Sequence, residues 1–312
     1  MILKDIKISV IAPVFNEEKV VDEFYRRTKK MLEKLSALHE IIFIDDGSAD
    51  STLARIKKLR QADENVKIVC FSRNFGHAAA ISAGLDHASG DAVMVIDADL
   101  QDPPEVLEKF INKWREGYEV VYGIRRKRKE WFGKRFCYWL FYRMMRASST
   151  LKMPLDAGDF SLMDKKVVEV IKNMPERNRF VRGLRSWAGY KQIGIEYDRQ
   201  ERFAGETKYP FKKLLRLAAD GIFSFSYVPL RLVTLFGFLV AALAFVTVFF
   251  LLYERYILGN VGVPGIPATL VAVLFLGGIQ LISIGVLGEY IARVYEETKQ
   301  RPHYIVKEKD GL

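Results

Sequence analysis

Cysteine is nearly absent: Cys70 and Cys137 are the only two in 312 residues, and they share no metal-ligating spacing. That excludes a disulfide framework, and nothing points to an oxidising compartment. Cys70 falls in a strand pattern and reads as a core residue. No G-x-G-x-x-G follows any strand-like run, which counts against a dinucleotide dehydrogenase. Internal repeats and low-complexity segments are missing. Residues 1–14 place Lys4, Asp5 and Lys7 ahead of one short apolar run, which does not read as a signal peptide. Acidic residues are also in deficit, 38 against 48 Lys and Arg, for a net charge of +10.

What is present is unevenly distributed. Residues 121–152 hold ten basic residues against Glu130 alone, so nearly all the excess charge sits in one segment. That segment interleaves its cations with Trp131, Phe132, Phe136, Tyr138, Trp139, Phe141 and Tyr142. Such a helix can lie in a bilayer interface, aromatics at headgroup level and cations on anionic lipid, or can stack on nucleic-acid bases. The apolar runs favour the membrane. Residues 232–253 are 22 without a charge, and 268–287 are 20 more within an uncharged run over 261–288. A helix of 22 residues spans about 33 Å, enough for a hydrocarbon core of about 30 Å. Two transmembrane helices are expected, at about 232–253 and 267–288.

The chain is organised around VMVIDADLQDPP, residues 93–104. A short β-branched run ends in Asp97-Ala98-Asp99. In an open α/β sheet, ligands bind beyond the carboxyl ends of strands. Two carboxylates held there repel unless a cation sits with them. Mg²⁺ takes one or two carboxylates and completes its shell with substrate phosphates, and Mn²⁺ accepts the same ligands. The bland alternative is a strand end followed by an Asp turn into Pro103-Pro104.

Other strand ends carry related chemistry. Residues 7–13 form a strand closing on Asn16-Glu17-Glu18, and 17–35 an amphipathic helix. A strand over 40–44 ends in Asp45-Asp46-Gly47-Ser48-Ala49-Asp50, where Asp50 or Ser51 caps the next helix. A carboxylate there can accept from a base edge or a ribose hydroxyl. Residues 66–71 form a third strand, and 77–88 a helix whose small residues let it approach the sheet closely. His77 reads as a loop or first-turn residue rather than a metal ligand. Helix 105–116 and strand 119–122 follow, Asp156–Phe160 reads as an acidic turn, 178–188 as a basic helix and 191–197 as a strand. Arg199, Arg202 and Lys208 flank Gly205 in a loop that can close over a diphosphate or remain a solvated basic loop. Strands alternating with helices indicate a mostly parallel sheet with helices on both faces.

These motifs resemble the inverting nucleotide-sugar glycosyltransferases of family 2, with the A-type α/β fold. More narrowly, they resemble bacterial polyprenyl-phosphate glycosyltransferases, relatives of dolichol-phosphate mannose synthase. The residues that carry it are VIAPVFNEE at 10–18, IDDGSADST at 44–52, FSRNFGHAAAISAGLDHASGD at 71–91, VIDADLQDPPE at 95–105, DAGDF at 156–160, RFVRGLRSW at 179–187 and RQERFAGETKYPFKKL at 199–214. The resemblance implies transfer of a sugar, with UDP-glucose the first expectation, to undecaprenyl phosphate with inversion. It implies that Pro13, Asn16, Glu17, Asp45, Asp46, Asp97 and Gln101 bind the donor, that Arg202 and Lys208 close on its phosphates, and that Asp97 and Asp99 hold Mg²⁺ or Mn²⁺. Arg125 and Arg135 would meet the acceptor phosphate, and Asp156, Asp159 and Asp99 would serve the chemistry. Ser161 departs from the family, many of whose members carry Arg there. Arg185-Ser186-Trp187 only partly echoes the motif of processive synthases, so chain elongation is not expected.

The expected organisation is a cytoplasmic domain over 1–206, with an interfacial segment at 125–152. A juxtamembrane amphipathic helix at 207–230, a transmembrane hairpin at 231–288 and a cytoplasmic tail at 289–312 follow. Residues 254–265 hold one basic residue, Arg255, whereas 207–231 and 289–312 hold five each, which places domain and tail in the cytoplasm. Gly277, Gly278 and Gly285 permit close helix contact, the basis for expecting a homo-oligomer. Two other readings stay open: transfer to a diacylglycerol or ceramide hydroxyl, and a non-catalytic scaffold that binds nucleotide sugar.

Overall fold

Four strands carry apolar side chains on both faces, the mark of a sheet covered by helices above and below. They are β1 (Leu3–Val14), β2 (Ser36–Asp45), β3 (Val66–Phe71) and β4 (Ala92–Val95). Ile8, Val10, Ile41, Phe43 and Met94 enter one core, while Ile11, Ile42, Val69, Val93 and Val95 enter the other. The alternation follows the two-residue period of a strand. The structure, a computed structural model, describes residues 3–126, 157–176, 179–199, 228–257 and 265–312.

The first core is closed by α1 (Val21–Leu35), α2 (Thr52–Ala62) and α4 (Leu107–Arg115), a 3₁₀ turn at Pro104–Val106 leading into the last. Val21, Phe24, Met31, Leu32 and Leu35 recur at helical spacing and give α1 its buried stripe. The second core is closed by α3 (His77–His87), α5 (Lys165–Lys172) and α6 (Val181–Trp187). The small residues of α3 act as expected. A Cβ on Gly84 would lie 2.1 Å from Ile11 Cγ2, so only glycine lets the helix sit this close to β1.

The sheet is completed by β5 (Val120–Arg126), β6 (Ala157–Asp164), β7 (Gln192–Asp198) and β8 (Val306–Asp310), in the order β7-β5-β6-β4-β1-β2-β3-β8. The β4-β1-β2-β3 centre and the β5-β7 pair are parallel, and β6 and β8 run antiparallel to their neighbours. Two stretches differ from the sequence reading. Residues 157–160, read as part of an acidic turn, open β6, because Phe160, Leu162 and Met163 alternate into the two cores. The last residues, read as a tail, return as β8 along β3, and Tyr304 stacks on Phe71 at 4.9 Å.

The described residues 228–257 and 265–300 belong to a second compact unit. Within it lie α7 (Val228–Tyr256) and α8 (Gly265–Thr298). Pro229–Thr247 and Phe275–Thr298 are long and apolar enough to cross a membrane, with mean hydropathies of 2.2 and 1.5. Their large side chains, Phe238, Phe245, Leu281 and Ile282 among them, are exposed, as lipid-facing residues are. The juxtamembrane helix expected at 207–230 falls outside the described residues except for its last three, which open α7.

Candidate active site

Because β1, β2 and β4 run parallel, their carboxyl ends meet at one edge of the sheet: Val14 pairs with Asp45, and Ile11 with Val95. The segments after these strands carry Asn16 and Glu17, Asp45 and Asp46, and Asp97, Asp99 and Gln101. Half-buried Pro13 lies on the same edge, opposite Ile44.

Several of these residues hold the edge itself. Asn16 has a left-handed φ of 55°, its N–H donates to Ser48 Oγ at 3.0 Å, and its Oδ1 accepts from Ala49 N at 2.8 Å. Glu17 N donates to Thr52 Oγ1 at 2.8 Å. Asp50 Oδ1 accepts from Thr52 N at 3.0 Å and its Oδ2 accepts from Glu18 N at 3.3 Å, while Ser51, the N-cap of α2, makes no side-chain cap hydrogen bond. Asp45 is buried, accepting from Ser48 N at 3.2 Å and from Cys70 Sγ at 3.3 Å. Burial and Asp45 push the Cys70 thiol up to about 11, so it stays protonated as the donor. Asp46 spends both oxygens on backbone: Phe75 N at 2.6 Å and Gly76 N at 3.0 Å. Burial raises its carboxyl, with those N–H groups working the other way. Asp46 fastens the loop between β3 and α3, and Asp45 ties the turn after β2 to β3.

The Asp97–Asp99 turn is built differently. Leu100 is buried with φ 59°, a left-handed conformation that is rare for a branched side chain and costs backbone strain. It lets Gln101 N reach Asp99 Oδ1 at 3.1 Å. Asp97 stays one-third exposed, and His77, the first residue of α3, brings Nε2 to 3.5 Å from its Oδ1. The same Nε2 lies 3.6 Å from Asp159 Oδ2, and Arg182 grips Asp159 with Nε at 3.3 Å and Nη2 at 3.0 Å. Asp159 stands on β6, antiparallel neighbour of β4, so the 95-to-161 pairing carried two residues further sets it across from Asp97.

The electrostatics follow. Burial opposes the charge on His77, but Asp97 and Asp159 outweigh it and push the imidazole up to about 9. Burial likewise works to raise Asp159, yet Arg182 and His77 hold it far below the usual carboxylate range. Asp97 is raised, first by burial, with Asp102, Asp99 and Asp159 adding to it against His77. Two carboxylates one residue apart in a single turn, Asp97 and Asp99, suit a divalent cation. Among the described residues no group of three or more Asp, Glu, His or Cys side chains encloses a metal. A cation here would be held by Asp97 and Asp99 and completed by substrate oxygens, as Mg²⁺ prefers.

Arg125 ends up beside Asp102, its Nη2 3.7 Å from Oδ2 and its Nε donating to Tyr197 OH at 3.3 Å. Arg185 is fully buried over the ring of Tyr122 at 5.4 Å, and burial lowers it to about 10. Asp156, Arg135, Arg202 and Lys208 lie outside the described residues. Sequence reasoning missed His77, Asp102, Tyr197 and Arg182 as site residues. His77, Asp102 and Arg182 sat within quoted motifs, but Tyr197 carried no signal beyond ending a strand.

The strand-end acids, the cationic groups around them and the sheet topology define a glycosyltransferase. The chain belongs to glycosyl transferase family 2, whose model matches residues 9–172. It is 46% identical over 310 residues to the uncharacterized glycosyltransferase YkcC of Bacillus subtilis (strain 168), covering 99% of this chain and 96% of that one. It is 47% identical over 311 residues to the prophage bactoprenol glucosyl transferase homolog of Escherichia coli (strain K12), covering 96% and 98%. Among solved structures it is similar to glucosyl-3-phosphoglycerate synthase of Mycobacterium tuberculosis in complex with Mn²⁺, UDP and phosphoglyceric acid. That match has a TM-score of 0.48 and 19% identity, covering 69% of this chain and 75% of that one.

Proposed function

We propose that this chain transfers a hexosyl group, glucose from UDP-glucose first among the candidates, to polyprenyl phosphate with inversion, yielding a polyprenyl-monophosphate sugar. The observation that carries the proposal is the meeting, within one imidazole's reach, of the Asp97–Asp99 turn and the Asp159–Arg182 pair. The first suits a diphosphate with its cation, the second an incoming anionic acceptor. The near full-length likeness to a bactoprenol glucosyl transferase homolog supports the lipid acceptor.

In the reaction an acceptor phosphate oxygen bonds to the anomeric carbon as the bond from that carbon to the β-phosphate oxygen breaks, and the electron pair leaves with the nucleoside diphosphate. Asp97 and Asp99 would hold a divalent cation, which would supply charge stabilisation for the leaving group. No base is required, because a phosphate monoester with a second pKa near 6 is largely dianionic at neutral pH. Asp159, paired with Arg182 and His77, is a poor proton acceptor and serves to position. Asp45, Asp46 and Asn16 act on the donor through the loops they fasten. Arg202 and Lys208 close on its phosphates, and Arg125 and Arg135 receive the acceptor.

The proposed site faces the cytoplasm. The hydrogen bonding of β8 to β3 supports an even number of crossings between the two, as a two-span hairpin gives. The basic flanks support an inside position for that side. Homo-oligomers through the glycines of α8 belong to the same proposal.

The test is transfer from a panel of radiolabelled nucleotide sugars to undecaprenyl phosphate in detergent, with Mg²⁺, Mn²⁺ or EDTA. Lipid-soluble label from one donor, abolished by EDTA, is expected. Label found only with diacylglycerol or ceramide as acceptor, or with none, refutes the assignment. Asp156→Asn should keep measurable turnover; complete loss with intact donor binding would restore a base.

A further inference from the structure

Asp102 is 1% exposed, and nothing in the mechanism above uses it. Its carboxylate accepts a hydrogen bond from the Tyr197 hydroxyl and lies 3.7 Å from Arg125 Nη2 and 3.8 Å from Arg199 Nε. Arg125 Nε donates to the same hydroxyl at 3.3 Å. The members come from three places: Asp102 from the turn beyond Asp97 and Asp99, Arg125 from β5, and Tyr197 and Arg199 from the end of β7. β5 and β7 pair in parallel with Arg125 opposite Tyr197, so the two chains leave the sheet side by side. Each leaves into basic sequence, residues 125–152 from β5 and the Arg199–Lys208 loop from β7.

We propose that Asp102, together with Tyr197, is a positioning residue that fixes the first arginine of each basic segment, Arg125 and Arg199, toward one phosphate-binding region at the mouth of the site. The inference rests on the transfer reaction proposed above and deepens it by naming what orders the acceptor-side cation.

Several observations converge. A buried carboxylate persists only when paired, and this one has two guanidiniums and a hydroxyl. One negative charge shared by two arginines leaves net positive charge for an incoming anion. Both nitrogens lie beyond 3.5 Å, so the carboxylate attracts the guanidiniums without forming hydrogen bonds to these atoms. The planar guanidinium makes orientation matter, since it meets a phosphate through a fixed fork. Tyr197 is a rigid support. Its ring meets Phe160 edge-on at 5.2 Å, and a Cβ on Gly123 would lie 2.6 Å from its Cε1, so glycine is needed for it to fit. Burial and then Asp102 raise the phenol, which keeps it a donor.

The test compares the full-length chain in detergent with Asp102→Asn, Tyr197→Phe and the double variant. Binding of a short-chain polyprenyl phosphate without donor, both KM values in the transfer reaction, and thermal unfolding are read for each. Outer residues that orient a binding group typically matter by about 10–100-fold, so each single variant should weaken acceptor binding and raise acceptor KM about tenfold or more. Donor KM should rise less, since the Asp97–Asp99 turn does not depend on this cluster for its charge. The double variant should be little worse than Asp102→Asn, the mark of groups acting as a unit. A merely structural Asp102 would lower Tm and the active fraction without moving acceptor affinity, and that result overturns the proposal. Tighter acceptor binding in Asp102→Asn overturns it too, because the charge would then only repel phosphate. If Asp102→Asn does not fold, Tyr197→Phe, which keeps the ring packing, decides. A wild type that binds lipid phosphate but transfers no sugar defeats the reaction alone, with positioning still read from binding; one that binds no lipid phosphate overturns both.

Discussion

Glu40 is the acid on which the central sheet leans, and neutralising it should be costly. It sits on β2 at 1% exposure, 2.8 Å from Lys7 Nζ and 2.7 Å from Lys67 Nζ, and accepts from Ser89 N at 2.9 Å and from Ser9 Oγ. These partners lie on β1, on β3 and just before β4, so one carboxylate ties together the strands that present the site. Burial works to raise its pKa, but Lys67, Lys7, Ser9 and Ser89 outweigh it and bring it from 4.5 to about 2. A displacement of that size corresponds to about 3 kcal/mol at neutral pH. Glu40→Gln keeps the shape and removes the charge, so it should lose about that much, or about 6–12 °C in Tm for a domain of this size. Because the folded value is depressed, the stabilisation is fully present above the ordinary 4.5 and is lost as pH falls through about 2. The gap between wild type and variant should therefore shrink to less than half by about pH 3. Thermal unfolding in detergent, followed by intrinsic fluorescence from pH 7 to pH 3, measures it. A gap under about 2 °C at pH 7, or one that stays constant down to pH 3, refutes the reasoning.

Other perturbations separate the parts of the site. Asp97→Asn should cut kcat by about 100-fold or more with unchanged Tm, as loss of charge stabilisation at a leaving group does; a drop confined to KM would show that Asp97 only binds. Asp46→Ala leaves the Phe75 and Gly76 N–H groups without their acceptor and should lower stability by about 1–3 kcal/mol while raising donor KM; unchanged Tm would contradict the fastening role. Gly84→Val drives a side chain into Ile11 and should cost about 1–3 kcal/mol or more by denaturant titration. Truncation after residue 301 removes β8, exposing the β3 edge and the face of Phe71; light scattering should show aggregation on warming at a lower temperature than for the full chain.

Much of the fold was legible because it is local. The two-residue alternation of β1 to β4, the helical spacing of α1 and the uncharged runs of α7 and α8 are written in consecutive residues. So is the Asp97–Asp99 turn, since a strand end and its following loop are neighbours in the chain. The opening of β6, residues 157–160, reads as a turn because Gly158 and Asp159 resemble loop chemistry, and only pairing with both β4 and β5 makes it a strand. β8 was read as a tail, since Lys307, Glu308, Lys309 and Asp310 carry no apolar pattern; its place comes from β3, with Lys57 and Arg60 meeting Glu308 and Asp310.

The amino-acid order thus determines which strands form, where their acids fall and which helices can enter a bilayer, because each depends on the periodicity and chemistry of adjacent residues. Tertiary structure alone decided that Asp45 and Asp46 turn inward to backbone N–H groups while Asp97 stays partly open, since that depends on which loop packs over each strand end. It also decided that His77 stands between Asp97 and Asp159, and that Asp102 gathers Arg125, Tyr197 and Arg199. Those groups come from segments tens of residues apart in the chain and meet because strands of one sheet, with the loops and helix that follow them, bring them to the same edge.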